Sequence, residues 1–152
     1  MRYCALMGDI EWYEDELTDE LYESMADICE KYENVTFLAL PMCAINGRVI
    51  DAVGKINRRF KNSSFALCSH RYTDEYIAPG KPYDTIVIPA NINKTEDYYP
   101  YMCKWAIDKC ESVIIYVGSK TLSNLNSLSV NAMNLADYAK KQNKELILIK
   151  PR

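Results

Sequence analysis

Glycine and histidine are scarce in this chain. Five glycines and a single histidine, His70, are spread over 152 residues, so the sequence offers neither a glycine-rich phosphate loop nor a histidine-based metal centre. The six cysteines, Cys4, Cys29, Cys43, Cys68, Cys103 and Cys110, form no C-x-x-C pair. They lie mostly within or beside apolar segments, which points to buried free thiols acting as small hydrophobes, not to zinc or disulfides. No apolar run approaches the ~18 residues of a membrane span, and the opening "MRYCALMGDIEW" turns acidic too early for a signal peptide. The expectation is a cytoplasmic protein without metal or cofactor. Positive charge is not in excess either: the formal charge is −3, which gives nucleic acid no general attraction. The basic "NRRFK" at Asn57 to Lys61 fits the cation-favouring last turn of a helix, and the acidic "EWYEDELTDELYE" a solvated helix face.

What is abundant is apolar patterning. Apolar residues make up 49% of the chain, enough for one domain spanning 1–152 with a sizeable core. "RYCALM" reads as a buried strand ended by Gly8-Asp9. Leu17, Leu21, Met25 and Ile28 recur at helical spacing over about Glu14 to Tyr32. "VTFLALP" predicts a second strand, and Val49, Ile50, Val53, Ile56 and Phe60 a second helix over Asn46 to Phe60. "SSFALCSH" predicts a third strand, "TIVIPA" a fourth, Tyr98 to Lys109 a helix, and "SVIIYV" a fifth strand. Roughly Ser127 to Lys141 should be a helix and "ELILIK" a sixth strand. Strands too apolar to be half-exposed, alternating with helices, imply an α/β fold: Rossmann-like and doubly wound, with a mainly parallel sheet of about six strands flanked by helices.

In such sheets ligands bind beyond the carboxyl ends of the strands, near the point where strand order reverses. That rule selects Gly8 and Asp9, Met42 to Asn46, Ser69, His70 and Arg71, Asn91, and Gly118, Ser119 and Thr121. Arg71 has the geometry to pair with a phosphate or carboxylate and His70 titrates near neutrality, although "SHR" also suits an ordinary loop start. "SKTLSNLNSLS" offers hydroxyls, amides and the free N–H groups of a helix start, to an anion or simply as caps. Asn131 and Asn134 stand three apart and face one side of that helix, toward a base, a ribose or solvent. Tyr98, Tyr99 and Tyr101, near Trp105, suit a ligand wall or an interface as well as a core edge.

The segments "YYPYMCKWAIDKCESVIIYVG" and "NAMNLADYAKKQNKELILIK" resemble the C-terminal half of the SLOG superfamily, in particular its branch of small bacterial proteins of unknown function. Ile107, Asp108, Glu111, Tyr138, Ala139, Lys140, Lys141 and Lys144 stand at matching places, the last five in a "YAKK-x-GK" pattern. A weaker likeness runs through Gly8, "VTFLALPMCAINGRVIDAVGKI" and "FALCSH". The resemblance implies a Rossmann-like domain that binds nucleotides or nucleotide-derived ligands, sometimes as a sensor in defence or signalling. The sequence departs from the family at its binding motifs. A Gly-Gly-Thr is absent near Val130 to Ala132, Ala44-Ile45-Asn46 lacks a Gly-x-Asp, Met102-Cys103 replace an Arg-Asn pair, and only Gly8 remains of a "TGHR" turn.

No "PGGxGTxxE" loop of the phosphoribohydrolases is present. A deoxyribosyltransferase would need a nucleophilic Glu where "SVNAMNLADY" offers only Asp137. The expected function is therefore non-catalytic sensing or sequestration of a nucleotide-derived small molecule by Gly8, Asp9, Asn46, Ser69, His70, Arg71, Gly118, Ser119, Asn131 and Asn134, with homo-oligomerisation. The alternatives are an oligomeric assembly protein whose crevice is filled by Met42, Met102 and Val130, and a nucleoside or nucleotide hydrolase relying on Asp9 or Asp108.

Overall fold

A strand covered on both faces must be apolar on both, and the strands of this chain carry two interleaved apolar sets with a period of two. The computed structural model describes residues 2–8, 15–40, 47–68, 85–87, 98–117 and 132–150. They form strands β1 (Arg2–Gly8), β2 (Val35–Ala39), β3 (Ser63–Cys68), β4 (Thr85–Val87), β5 (Ser112–Tyr116) and β6 (Glu145–Ile149). The helices are α1 (Asp15–Lys31), α2 (Gly47–Arg59), α3 (Tyr98–Lys109) and α4 (Ala132–Lys141). All neighbouring strands pair in parallel, in the order β4-β3-β2-β1-β5-β6, with five full strands and the three-residue β4 at one edge. This is the Rossmann-like, doubly wound sheet that the apolar runs predict.

Cys4, Leu6, Val35, Phe37, Phe65, Ile114 and Tyr116 point to one face, where Leu21, Met25 and Ile28 of α1 and Val49, Val53 and Ile56 of α2 cover them. Ala5, Met7, Leu38, Leu40, Val113, Ile115 and Val117 point to the other, under Met102, Ala106 and Ile107 of α3 and Leu135, Ala136 and Ala139 of α4. The division follows from handedness. From β1 the chain steps outward through β2, β3 and β4, then returns to β5 and steps the opposite way, so right-handed crossovers place the two helix pairs on opposite faces. Phe37 and Phe65 stack at 5.4 Å between ring centroids at the centre of the first layer. Truncating either to alanine costs about 3–5 kcal/mol.

The two edges of the sheet differ. At the amino ends the chain passes from helix to strand in two or three residues, closed by hydrogen bonds. The Asn62 side-chain amide donates to the carbonyls of Cys29, Tyr32 and Glu33 at 3.0–3.1 Å, tying off the end of α1. Helix α4 ends in a Schellman motif, with Lys144 N donating to Ala139 O and Asn143 N to Lys140 O. Asn143 takes the left-handed position at φ 58°, where the "YAKK-x-GK" pattern has glycine. At the carboxyl ends the connections run through residues 9–14, 41–46, 69–84, 88–97 and 118–131.

Among the described residues no helix is long and apolar enough to cross a membrane. Cys4, Cys29, Cys68, Cys103 and Cys110 are buried thiols outside any disulfide, as their apolar surroundings predict, and Cys43 lies outside the described residues. Burial pushes the thiol of Cys29 up to about 11 and those of Cys68 and Cys110 up to about 12.

Candidate functional site at the carboxyl edge

The strand order reverses between β1 and β5, where Gly8 and Tyr116 pair directly across the seam, and the carboxyl side of such a reversal is where doubly wound sheets generally take ligands. Gly8 was expected in the turn after β1, but it is the last residue of the strand. Its φ is 146°, and a Cβ there would lie 2.2 Å from the carbonyl oxygen of Tyr116 and 2.7 Å from its nitrogen. The strand–strand seam itself therefore demands the glycine, apart from any ligand. A local reading of "MGDI" stops the strand one residue short because the partner that keeps Gly8 in register lies more than a hundred residues away. The floor behind the seam is apolar: Met7, Leu40, Met102, Val117 and Ala132 are all buried in the second core layer.

Of the residues that the sequence assigns to a ligand, Gly8 and Asn134 fall among those described. Asn134 is exposed on the first turn of α4, the helix that leaves β5 at this edge. Asp9, Asn46, Ser69, His70, Arg71, Gly118, Ser119 and Asn131 lie outside the described residues, as do Met42, Asn91, Thr121 and Val130. Along the chain Asp9 directly follows β1, Ser69 follows β3, and Gly118 follows Val117 at the end of β5. Asn46 and Asn131 immediately precede α2 and α4. Each of these positions thus enters or leaves an element at the carboxyl edge.

Asp108 belongs elsewhere. It sits near the end of α3, at the amino edge, and its Oδ1 accepts the Tyr138 hydroxyl at 2.8 Å, a bond that raises the Tyr138 pKa. Its carbonyl accepts Lys144 Nζ at 3.2 Å. A hydrolase built on Asp9 would have Asp108 at the opposite edge of the sheet. Met102, one of the residues proposed to fill the crevice, is fully buried under α3. Tyr101 is 41% exposed on that helix.

The amino edge holds a polar cluster that sequence reasoning missed. Glu145, at the start of β6, accepts Ser112 Oγ at 2.7 Å and Tyr32 Oη at 3.2 Å, and pairs with Lys31 and, at 3.3 Å, with Arg2. Arg2 Nε donates to Ser112 Oγ at 2.9 Å, and the guanidinium lies 3.5 Å from the centre of the Tyr32 ring. Partial burial works to raise the Glu145 carboxyl. The hydrogen bonds from Lys31, Ser112 and Tyr32, with the Lys31 charge, outweigh it and hold the pKa at about 2. Beside it Glu111 Oε2 accepts the Tyr3 amide at 2.8 Å.

Arg2, Tyr32, Glu33, Asn34 and Glu111 line an open cleft of about 280 Å³ at this edge. Arg2 and Tyr32 are already engaged by Glu145, and Glu111 by Tyr3, so this cleft reads as the outer wall of a structural tie between β1, β5, β6 and α1. Its sequence signal is a polar residue opening an otherwise apolar strand, Ser112 and Glu145, which stand in register.

Among the described residues no cluster of His, Cys, Asp and Glu has the arrangement to hold a metal ion. Compared with models of known protein families and with curated proteins, the chain matches none.

Proposed function

We propose that the protein binds a nucleotide or nucleotide-derived small molecule at the carboxyl edge of its sheet and holds it without chemical change, as a sensor or a sequestering protein. The observation that carries this reading is the reversal of strand order between β1 and β5, because the crevice at such a reversal is where doubly wound sheets take their ligands. Ligand-competent polar residues also come next after several strands along the chain. Asp9, Ser69, His70, Arg71, Gly118 and Ser119 all follow strand ends, and Asn134 is exposed at the start of α4. The resemblance to the SLOG superfamily supports a nucleotide-derived ligand, and the absence from the sequence of the phosphoribohydrolase loop and of a nucleophilic Glu supports binding without turnover. The free thiols suit a reducing, cytoplasmic setting.

The test is a thermal-shift screen of the purified protein against nucleotides, cyclic dinucleotides and ADP-ribose derivatives, with mass spectrometry for a co-purifying ligand. A ligand at about 100 times its Kd adds about 2.7 kcal/mol, a shift of several degrees in a domain of this size. Ser69→Ala, Arg71→Ala and Asn131→Ala should abolish the shift and leave the melting temperature of the ligand-free protein unchanged. A complete panel without a shift, and no retained ligand, would reject the reading; released base or phosphate would replace binding with hydrolysis.

A further inference from the structure

The outer surface of the α1/α2 layer is divided by charge. On α1, Asp19, Glu23 and Asp27 are exposed at four-residue spacing, with Glu30 beside them, so the helix carries one acidic ridge directly opposite its buried Leu21, Met25 and Ile28. On α2 the exposed ridge holds Lys55 and Arg58, with Asp51 one turn earlier and Arg59 on the side toward α1. The two helices pack against each other, yet the ion pair that joins them is Arg59 to Glu30, at 3.0 Å. Asp19, Glu23 and Asp27 on one helix, and Lys55 and Arg58 on the other, have no partner among the described residues.

Gly54, half-buried, immediately precedes Lys55 and stands one turn before Arg58 on α2. A Cβ there would meet only Arg58 Nη1 at 3.5 Å, an ordinary contact. The chain's own packing does not require this glycine in mid-helix, where glycine is unfavourable.

We infer that this face is the contact between two copies of the chain, related by a two-fold axis that runs along the helices. Both helices run from the carboxyl edge to the amino edge, so they point the same way. An axis parallel to them lays α1 of each copy on α2 of its partner, acid on base, twice. An axis across them would lay α1 on α1, acid on acid. The connections after α1 and α2 are equally long and lead into the paired residues Val35 and Ser63, so this arrangement brings the partner's Asp27 level with Lys55 and the partner's Glu30 level with Arg58, with Glu23 against Asp51 as a like-charged pair. Gly54 leaves the space in which a second helix approaches. The face is about 25 Å long and two helices wide and has no apolar centre, so the dimer is weak and salt-sensitive and belongs to the small class of interfaces.

The test uses the full chain and needs no ligand. Sedimentation equilibrium should show a monomer–dimer equilibrium at low salt whose dissociation constant rises at least about tenfold between roughly 25 and 300 mM NaCl. Two charge-reversed proteins are then made: Asp27→Lys and Lys55→Glu. Each alone should be monomeric with an unchanged circular dichroism spectrum, and an equimolar mixture should form the heterodimer, because each reversed helix then meets its opposite. Gly54→Gln should raise the melting temperature of the monomer and still weaken dimerisation at least about tenfold, since a helix-favouring residue is added where the partner must approach. A wild-type protein that stays monomeric at about 200 μM in low salt would overturn the inference. So would a dimer that survives either reversal, or reversed proteins that do not pair with each other.

Discussion

Gly8 and Tyr116 meet main chain to main chain at the seam where the sheet changes direction, with 2.2 Å between a hypothetical Gly8 Cβ and the Tyr116 carbonyl oxygen. No rotamer change relieves such a contact, because both sides are backbone. Gly8→Ala should therefore part β1 from β5 or shift their register, at a cost of about 2–4 kcal/mol. Urea unfolding monitored by circular dichroism measures it. An alanine variant as stable as the parent would show that the seam gives way freely.

Glu145 makes the protein acid-sensitive in a defined window. Its carboxyl is held at about 2, below the ordinary 4.5. The unfolded chain therefore binds the proton first, and the associated stability is fully present above about pH 4.5 and lost as the pH falls toward 2. The site is still reached by solvent, and screening limits the effect to about 1–2 kcal/mol. Glu145→Gln should be less stable than the parent by about that amount at pH 7, and the difference should close near pH 2. Parallel pH–stability curves for the two proteins would contradict the assignment.

The five described cysteines should be inert in the folded protein. Cys29, Cys68 and Cys110 titrate at about 11 to 12, and burial raises Cys4 as well. At pH 8 the thiolate, which is the reactive form, is then scarce and shielded. Iodoacetamide followed by mass spectrometry should leave Cys4, Cys29, Cys68, Cys103 and Cys110 unmodified in buffer and label all of them in denaturant. Rapid native labelling of Cys4 or Cys110 would mean that the β1–β5 seam opens readily.

The sequence states the fold clearly because burial on both faces writes itself into continuous apolar runs, and helices into a 3.6-residue period. Leu21, Met25 and Ile28 are as legible on paper as in the core. What depends on partners distant in sequence is not legible. Gly8 reads locally as a turn, since nothing near it reveals Tyr116. The Arg2, Ser112 and Glu145 tie joins positions more than a hundred residues apart in two of its three pairings. The family-like positions Asp108, Glu111, Tyr138, Ala139 and Lys144 were readable as a pattern. In the structure they cap α4 and fasten the amino edge, so their pattern reports how the chain is held together, not what it holds. Of the candidate ligand residues, Gly8 and Asn134 fall among the described residues, one held in place by the seam and the other exposed.

The contrast between the two edges of the sheet bears on how substitutions in such a chain are read. The hydrogen-bonded turns and the Glu145 tie secure the strands from the amino side. The amino side is thus the half of the molecule whose residues are committed to holding the strands in register, and substitutions at Asn62, Ser112 or Glu145 should be read first as changes in stability.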